Sequence, residues 1–128
     1  MLALVVDDSS TMRRILQRTM AGHGFAVYEA SNGQEALDLL VEIPTVPDVA
    51  LIDWNMPVMD GLELIRHVRK MPPLRDMCMM MVTTEAEHSQ MVRALAAGAH
   101  EYVLKPFAPD TIKQKLTYLG LIPPEPRP

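Results

Sequence analysis

Leu2-Ala3-Leu4-Val5-Val6-Asp7-Asp8 is a continuous apolar run that ends abruptly in two acids. Five apolar residues with no polar alternation suit a strand covered on both faces, as in a parallel sheet. The figure returns at Val49-Ala50-Leu51-Ile52-Asp53. It returns again, with a hydroxyl in place of the acid, at Met77-Cys78-Met79-Met80-Met81-Val82-Thr83. Phe25-Ala26-Val27-Tyr28-Glu29-Ala30 and His100-Glu101-Tyr102-Val103-Leu104 complete a set of five strands, and the last runs into Lys105-Pro106-Phe107.

Helical periodicity fills the gaps. Met12, Ile15, Leu16, Thr19 and Met20 mark a first helix over 11–21, stopped by Gly22-His23-Gly24. Ser31-Asn32-Gly33-Gln34 reads as a Ser-x-x-Gln capping box that opens a second helix, with Ala36, Leu37, Leu40 and Val41 as its stripe. Pro44 and Pro47 close that unit. Asn55 to Gly61 is a turn-rich loop, and Leu62, Leu64, Ile65 and Val68 carry a third helix whose Arg66, Arg69 and Lys70 read as a solvated face. A fourth helix is expected over 85–97, ending at Gly98, with Ser89, Val92, Ala96 and Ala99 as its core stripe. Met91 and Leu95 lie off that stripe and, with His88, make a second apolar-leaning face near Tyr102. Pro109 suits the first position of a fifth helix over about 109–119, which stops at Gly120.

Five strand–helix units imply an α/β fold: a five-stranded parallel sheet with helices on both faces. Right-handed crossovers leave few strand orders, and a flavodoxin-like, doubly wound (βα)5 arrangement of order 2-1-3-4-5 is favoured. One domain over 1–120 is expected, followed by a tail over 121–128 in which four of eight residues are proline.

Composition narrows the partners. The chain has 128 residues, of which 48% are hydrophobic and 22% charged, enough for one globular core. A net charge of −4 without any basic run argues against nucleic acid as a direct partner. The longest apolar stretch is too short to span a membrane, and Met1 to Val6 lacks the basic flank of a secretory signal, so a cytoplasmic location is expected. The single cysteine, Cys78, forms neither an internal disulfide nor a zinc site, and reads as inert core. His23, His67, His88 and His100 are scattered without ligand spacing and read as surface residues. The methionine run of the fourth strand reads as plastic core filler rather than a soft-metal site.

The chemistry lies in the strand ends. Ligands of an open parallel sheet bind at the carboxyl edge, near the switch point between strands 1 and 3. The expected topology delivers Asp7 and Asp8, Asp53, Thr83 and Lys105 to that one edge. Taken singly, each has an ordinary explanation, such as a helix cap or a surface charge. Taken together they form a cluster whose carboxylates repel, at roughly 4 kcal/mol per pair 4 Å apart in a medium of dielectric 20. A hard cation relieves this. An all-oxygen donor set without His or Cys points to Mg²⁺. A carboxylate beside Mg²⁺, a lysine and a hydroxyl is equipment for phosphoryl transfer to a carboxylate nucleophile.

These residues carry a resemblance. Val5-Val6-Asp7-Asp8, Asp53-Trp54-Asn55-Met56-Pro57-Val58-Met59-Asp60-Gly61, Val82-Thr83 and Tyr102-Val103-Leu104-Lys105-Pro106-Phe107 resemble the response-regulator receiver domain over residues 2 to about 120. Within that family, Ser10-Thr11-Met12-Arg13-Arg14 and the absence of room for an output domain are most similar to the single-domain chemotaxis regulators. The resemblance implies Asp53 as phosphoacceptor and Mg²⁺ held by Asp8, Asp53 and the main-chain carbonyl of Asn55, with Asp7 assisting. It implies Lys105 pairing first with the acceptor and then with the phosphoryl group. Thr83 and Tyr102 would be the switch residues, and Lys105–Pro106 a cis bond that aims Lys105. It implies a phosphoacceptor signalling protein rather than an enzyme, one that catalyses its own phosphotransfer and dephosphorylation. Its donor would be a CheA-like histidine kinase, its target a protein such as a flagellar motor switch, and its resting state a monomer. Asn55 and Glu85 would flank the path of a hydrolytic water without plugging it, giving the phosphate a short lifetime. The output face would join His88, Met91, Leu95 and Tyr102.

Three departures stand out. Ser9 occupies a position that is aromatic in the chemotaxis regulators, Ala108 offers the fifth helix a weak cap, and one extra residue precedes the third strand. Trp54 is expected to be partly exposed beside the metal. The alternative function is a phosphorelay intermediate that hands phosphate to a histidine phosphotransfer domain. A haloacid dehalogenase-type phosphatase is disfavoured because its nucleophile follows the first strand in an Asp-x-Asp pattern. A flavodoxin is disfavoured because Asp7-Asp8 would repel a flavin phosphate.

Overall fold

The computed structural model describes residues 1–124. Its strands are β1 (Leu2–Val6), β2 (Ala26–Ala30), β3 (Val49–Ile52), β4 (Cys78–Thr83) and β5 (Glu101–Leu104). Its helices are α1 (Ser10–Gly22), α2 (Gly33–Glu42), α3 (Gly61–Arg69), α4 (His88–Ala97) and α5 (Pro109–Tyr118), with a single 3-10 turn at Pro72–Leu74. All neighbouring strands are parallel, in the order β2-β1-β3-β4-β5. The doubly wound fold expected from the apolar runs is the one observed.

Strand side chains alternate between two cores. Leu4, Val6, Ala50, Ile52, Met79 and Met81 face one, together with Ala36, Leu40, Ile65, Val68 and Ala94 of α2, α3 and α4. Ala3, Val5, Val49, Leu51, Met80 and Val82 face the other, with Leu16 and Met20 of α1 and Ile112 and Leu116 of α5. This double coverage is why the central strands read as unbroken apolar runs. Met77, Met79, Met80 and Met81 are all at most 1% exposed, so the methionine run on and just before β4 is core.

Several local expectations are corrected. The cap of α2 is Asn32, whose side chain accepts from Glu35 N at 2.8 Å, one residue later than the proposed box. Ser31 instead donates its hydroxyl to the Glu35 carboxylate at 2.8 Å. Val41 is 72% exposed, so the buried side of α2 runs through Ala36 and Leu40 with Leu37 and Leu39 half-buried. Arg69 does not belong to a solvated face: its guanidinium donates to Gly98 O at 2.8 Å and also to the carbonyls of Arg75 and Met77. It thereby ties the end of α3 to the turn after α4.

Helix α4 departs most. It starts at His88 rather than 85, with no side-chain cap, and its only fully buried residue is Ala94. Ser89, Val92 and Ala96 are exposed and Met91 is half-buried, so of the expected stripe only Ala99, past the end of the helix, faces the core. Cys78 is half-buried rather than core. Leu121 and Ile122, read as tail, pack on the second core, and residues 125–128 lie outside the described residues. No helix among the described residues is long and apolar enough to cross a membrane.

Candidate acidic phosphoacceptor site

The carboxyl edge of β1 and β3 is where the acids meet. Asp7 follows β1, and its backbone N–H still pairs with Ala30 O at 3.1 Å. The backbone of Asp53, which follows β3, is held to Val6 O at 2.9 Å. Register therefore sets these two residues side by side, and Asp8 stands at the rim. Carboxylate oxygens of Asp7, Asp8 and Asp53 all lie within 4.8 Å of one another. Asp7 is 1% and Asp53 8% exposed, whereas Asp8 faces solvent.

Lys105, carried past the end of β5, reaches across the edge. Its Nζ is 2.7 Å from Asp7 Oδ2 and 3.4 Å from Asp53 Oδ2. The Lys105–Pro106 bond is cis, as the resemblance implied. Asp53 Oδ1 accepts from Trp54 N at 2.8 Å, and Asp7 Oδ1 accepts from Ser9 N at 2.9 Å. Ser9 also caps α1, its hydroxyl accepting from Met12 N. Arg13 on α1 donates to the Asp7 carbonyl at 2.6 Å, a brace that the sequence showed only as part of a family cue.

Charge decides what fits here. Three carboxylates against one ammonium leave a net of two negative charges in a partly buried pocket. Burial pushes the Asp53 carboxyl above its usual range. Lys105 pulls it down, Asp7 pushes it further up, and the Thr83 hydroxyl pulls it down less strongly. An oxygen-only set with that residual charge suits a hard divalent cation such as Mg²⁺. Gly61 completes the floor: a Cβ there would overlap the Asp53 carbonyl, so only glycine allows α3 to begin so close to the acid.

The family model for the response regulator receiver domain matches residues 3–117. The chain belongs to the receiver family. Among curated relatives it is 49% identical to a chemotaxis protein CheY homolog of Campylobacter jejuni, over 91% of this chain and 89% of that protein. It is 43% identical to chemotaxis protein CheY1 of Helicobacter pylori, over 91% of this chain and 94% of that protein. Among solved structures, the response regulator CheY4 of Vibrio cholerae superposes with a TM-score of 0.84 at 33% identity, covering 92% and 97% of the two chains.

In this receiver the second half of the edge is organised around Glu85. Its backbone N–H donates to Thr83 Oγ1 at 3.3 Å, and its carbonyl accepts from the Tyr102 hydroxyl at 2.7 Å. Its carboxylate accepts from the Asn55 side-chain amide at 2.7 Å. Glu85 therefore lies in the loop before α4, not in the helix, and the residues expected to flank a water path hold each other. Thr83 is wholly buried. Tyr102 is half-buried, and burial with Glu85 and Asp53 nearby pushes its hydroxyl up to about 12, so it stays a donor.

Of the residues expected to form the output face, His88 and Leu95 are exposed and Met91 is half-buried, while Val92 beside them is 50% exposed. Trp54 is also unlike the expectation. It is 6% exposed, packed into the first core, and covered by the Arg93 guanidinium. No spacing in the sequence links Arg93 to Trp54, because the pair depends on how α4 lies against the β3 loop.

Proposed function

We propose that this receiver is a stand-alone, cytoplasmic regulator that takes a phosphoryl group from a histidine kinase onto Asp53 and signals by binding a protein target. One observation carries the reading: Asp53 lies in a three-carboxylate cluster, with the Lys105 ammonium 3.4 Å from its Oδ2. Asp8, Asp53 and the Asn55 main-chain carbonyl, with Asp7 assisting, would hold Mg²⁺. The ion would neutralise the acids and the equatorial phosphoryl oxygens.

In the transfer, an Asp53 oxygen attacks phosphorus in line, the P–N bond to the donor imidazole breaks, and the imidazole leaves with its electron pair and takes up a proton. Lys105 exchanges its contact with the acceptor carboxylate for one with the phosphoryl oxygens. The Thr83 hydroxyl, now shared with Glu85 N–H, turns to donate to the phosphoryl group. That rotation frees the Glu85 loop, and Tyr102, anchored on the Glu85 carbonyl, passes the change to α4 and β5. The target face is His88, Val92 and Leu95 of α4 with Tyr102 beside them. The names of the relatives favour chemotaxis, with a CheA-like kinase upstream and a flagellar motor switch downstream.

The test is phosphorylation by acetyl phosphate with Mg²⁺, read by intact mass. One hydroxylamine-labile phosphoryl group is expected, lost without Mg²⁺ and lost in Asp53→Asn. Label that persists in Asp53→Asn would move the chemistry to another residue.

A further inference from the structure

We infer that Arg93 is a positioning residue: its guanidinium, seated over the Trp54 ring, couples the state of Asp53 to α4 by a route separate from Thr83 and Tyr102. The inference rests on Asp53 being the phosphoacceptor. Trp54 directly follows that residue, and both of its backbone groups are committed. Its N–H donates to Asp53 Oδ1 at 2.8 Å, and its carbonyl accepts from Gly61 N at 2.8 Å. Where the carboxylate goes, the indole follows.

On the other side, the guanidinium carbon of Arg93 lies 5.9 Å from the ring centroid. Nη1 of the same group donates to Gln90 Oε1 at 2.9 Å, which orients the guanidinium from within α4. A cation over an indole face is held by the ring quadrupole, and Trp is the strongest such partner. Within α4 only Ala94 is fully buried and no side chain caps the N-terminus, so this contact adds to a short set of ties that includes Arg69 on the Gly98 carbonyl.

The pair therefore responds to esterification of Asp53. The bond from Trp54 N–H to Oδ1 is charge-assisted while Asp53 is a carboxylate, and such bonds are about twice as strong as neutral ones. Conversion to an acyl phosphate removes that charge and loosens the seat of Trp54, and with it the platform under Arg93. The contact is made with Asp53 unmodified, so it stabilises the resting arrangement of α4. By reciprocity, a partner that lifts α4 off Trp54 makes Asp53 easier to phosphorylate.

The test uses the full chain with Mg²⁺ and phosphoramidate as donor, comparing Arg93→Gln and Arg93→Lys with the unmodified protein. Two quantities are read: acrylamide quenching of Trp54 fluorescence before phosphorylation, and the phosphoramidate concentration that half-saturates uptake. Arg93→Gln should raise quenching and lower the half-saturating concentration about two- to five-fold, the range of an exposed cation–π contact. Arg93→Lys, which keeps the cation, should recover most of both. Raised quenching with unchanged uptake would reduce Arg93 to a structural lid and overturn the inference, as would unchanged quenching. If the unmodified chain takes up no phosphate, the reading of Asp53 itself fails. Failure of the coupling alone would leave uptake normal and equal in all three chains.

Discussion

Helices α3 and α4 are neighbours on one face of the sheet, yet they are built in opposite ways. The N-terminus of α3 is closed by a full capping box, in which Asp60 accepts from Glu63 N and Glu63 reaches back to Asp60 N. The helix buries Gly61, Leu62, Leu64, Ile65 and Val68, and its last turn carries Arg66, His67 and Arg69. Every device that stabilises a helix is present: cap, staggered apolar stripe, and cations at the negative end of the dipole. By contrast α4 has no side-chain cap at its N-terminus, no acidic first turn and a single fully buried residue, while Val92 and Leu95 are 50% and 47% exposed. One helix is anchored beside Asp53, and the other is held by fewer buried side chains beside Thr83 and Tyr102.

The largest expected effect breaks the anchored side. Ile65→Ala should cost about 2–5 kcal/mol, whereas Leu95→Ala should fall within about 0.5 kcal/mol of the parent. Urea unfolding of both variants gives the contrast, and similar losses would mean that α4 is held as firmly as α3. Next comes the tie between the two loops. Asn55→Arg removes the amide that Glu85 accepts from and places a cation across the water path. An aspartyl phosphate expected to last seconds to minutes should then last roughly two- to ten-fold longer, as for loss of one ordinary hydrogen bond. Phosphate release after donor removal measures it, and an unchanged rate would take Asn55 off the path.

Smaller effects sharpen the comparison at the helix ends. Asp60→Ala should destabilise by about 1 kcal/mol, while Glu87→Asn, which gives α4 the cap it lacks, should stabilise by about 0.5 kcal/mol. Smallest is a pH effect at His100, which accepts from Met79 N at 3.1 Å through Nδ1. Burial and the nearby Arg69 lower its pKa from 6.5, so the folded chain binds fewer protons than the unfolded one. The contribution is complete above pH 6.5, shrinks as pH falls and is lost through the folded pKa. His100→Asn should flatten that slope slightly in melts taken at successive pH values, since His100 is an exposed residue.

The same contrast explains what the sequence disclosed. Strand runs such as Leu2 to Val6 and Val49 to Ile52 are buried on both faces, so their apolar continuity has one interpretation. Their ends then bring Asp7, Asp53, Thr83 and Lys105 together by topology alone. In α4 the signal is degenerate, because Ser89, Ala94, Ala96 and Ala97 are all small and several stripes fit equally well. The sequence places Glu85 at the start of the fourth helix, yet Glu85 is engaged by Asn55, Tyr102 and Thr83, and the helix waits until His88. Trp54 and Arg69 lie deeper than their sequence context suggests for a related reason. Both are polar-tipped side chains whose partners, Arg93 and the Gly98 carbonyl, are distant in sequence.

The methionines on and just before β4 have a consequence for the life of the molecule in an oxidising milieu. Met77, Met79, Met80 and Met81 are sealed at the centre of the sheet, whereas Met1 is 57% exposed. Sulfoxide formation adds a polar oxygen that a packed core cannot accept, so these four thioethers react only while the sheet is open. Peroxide consumes Met1 at the rate of the reagent and the central four at the frequency of opening. Each molecule thus carries in its core a cumulative and chemically legible record of how often it has come apart.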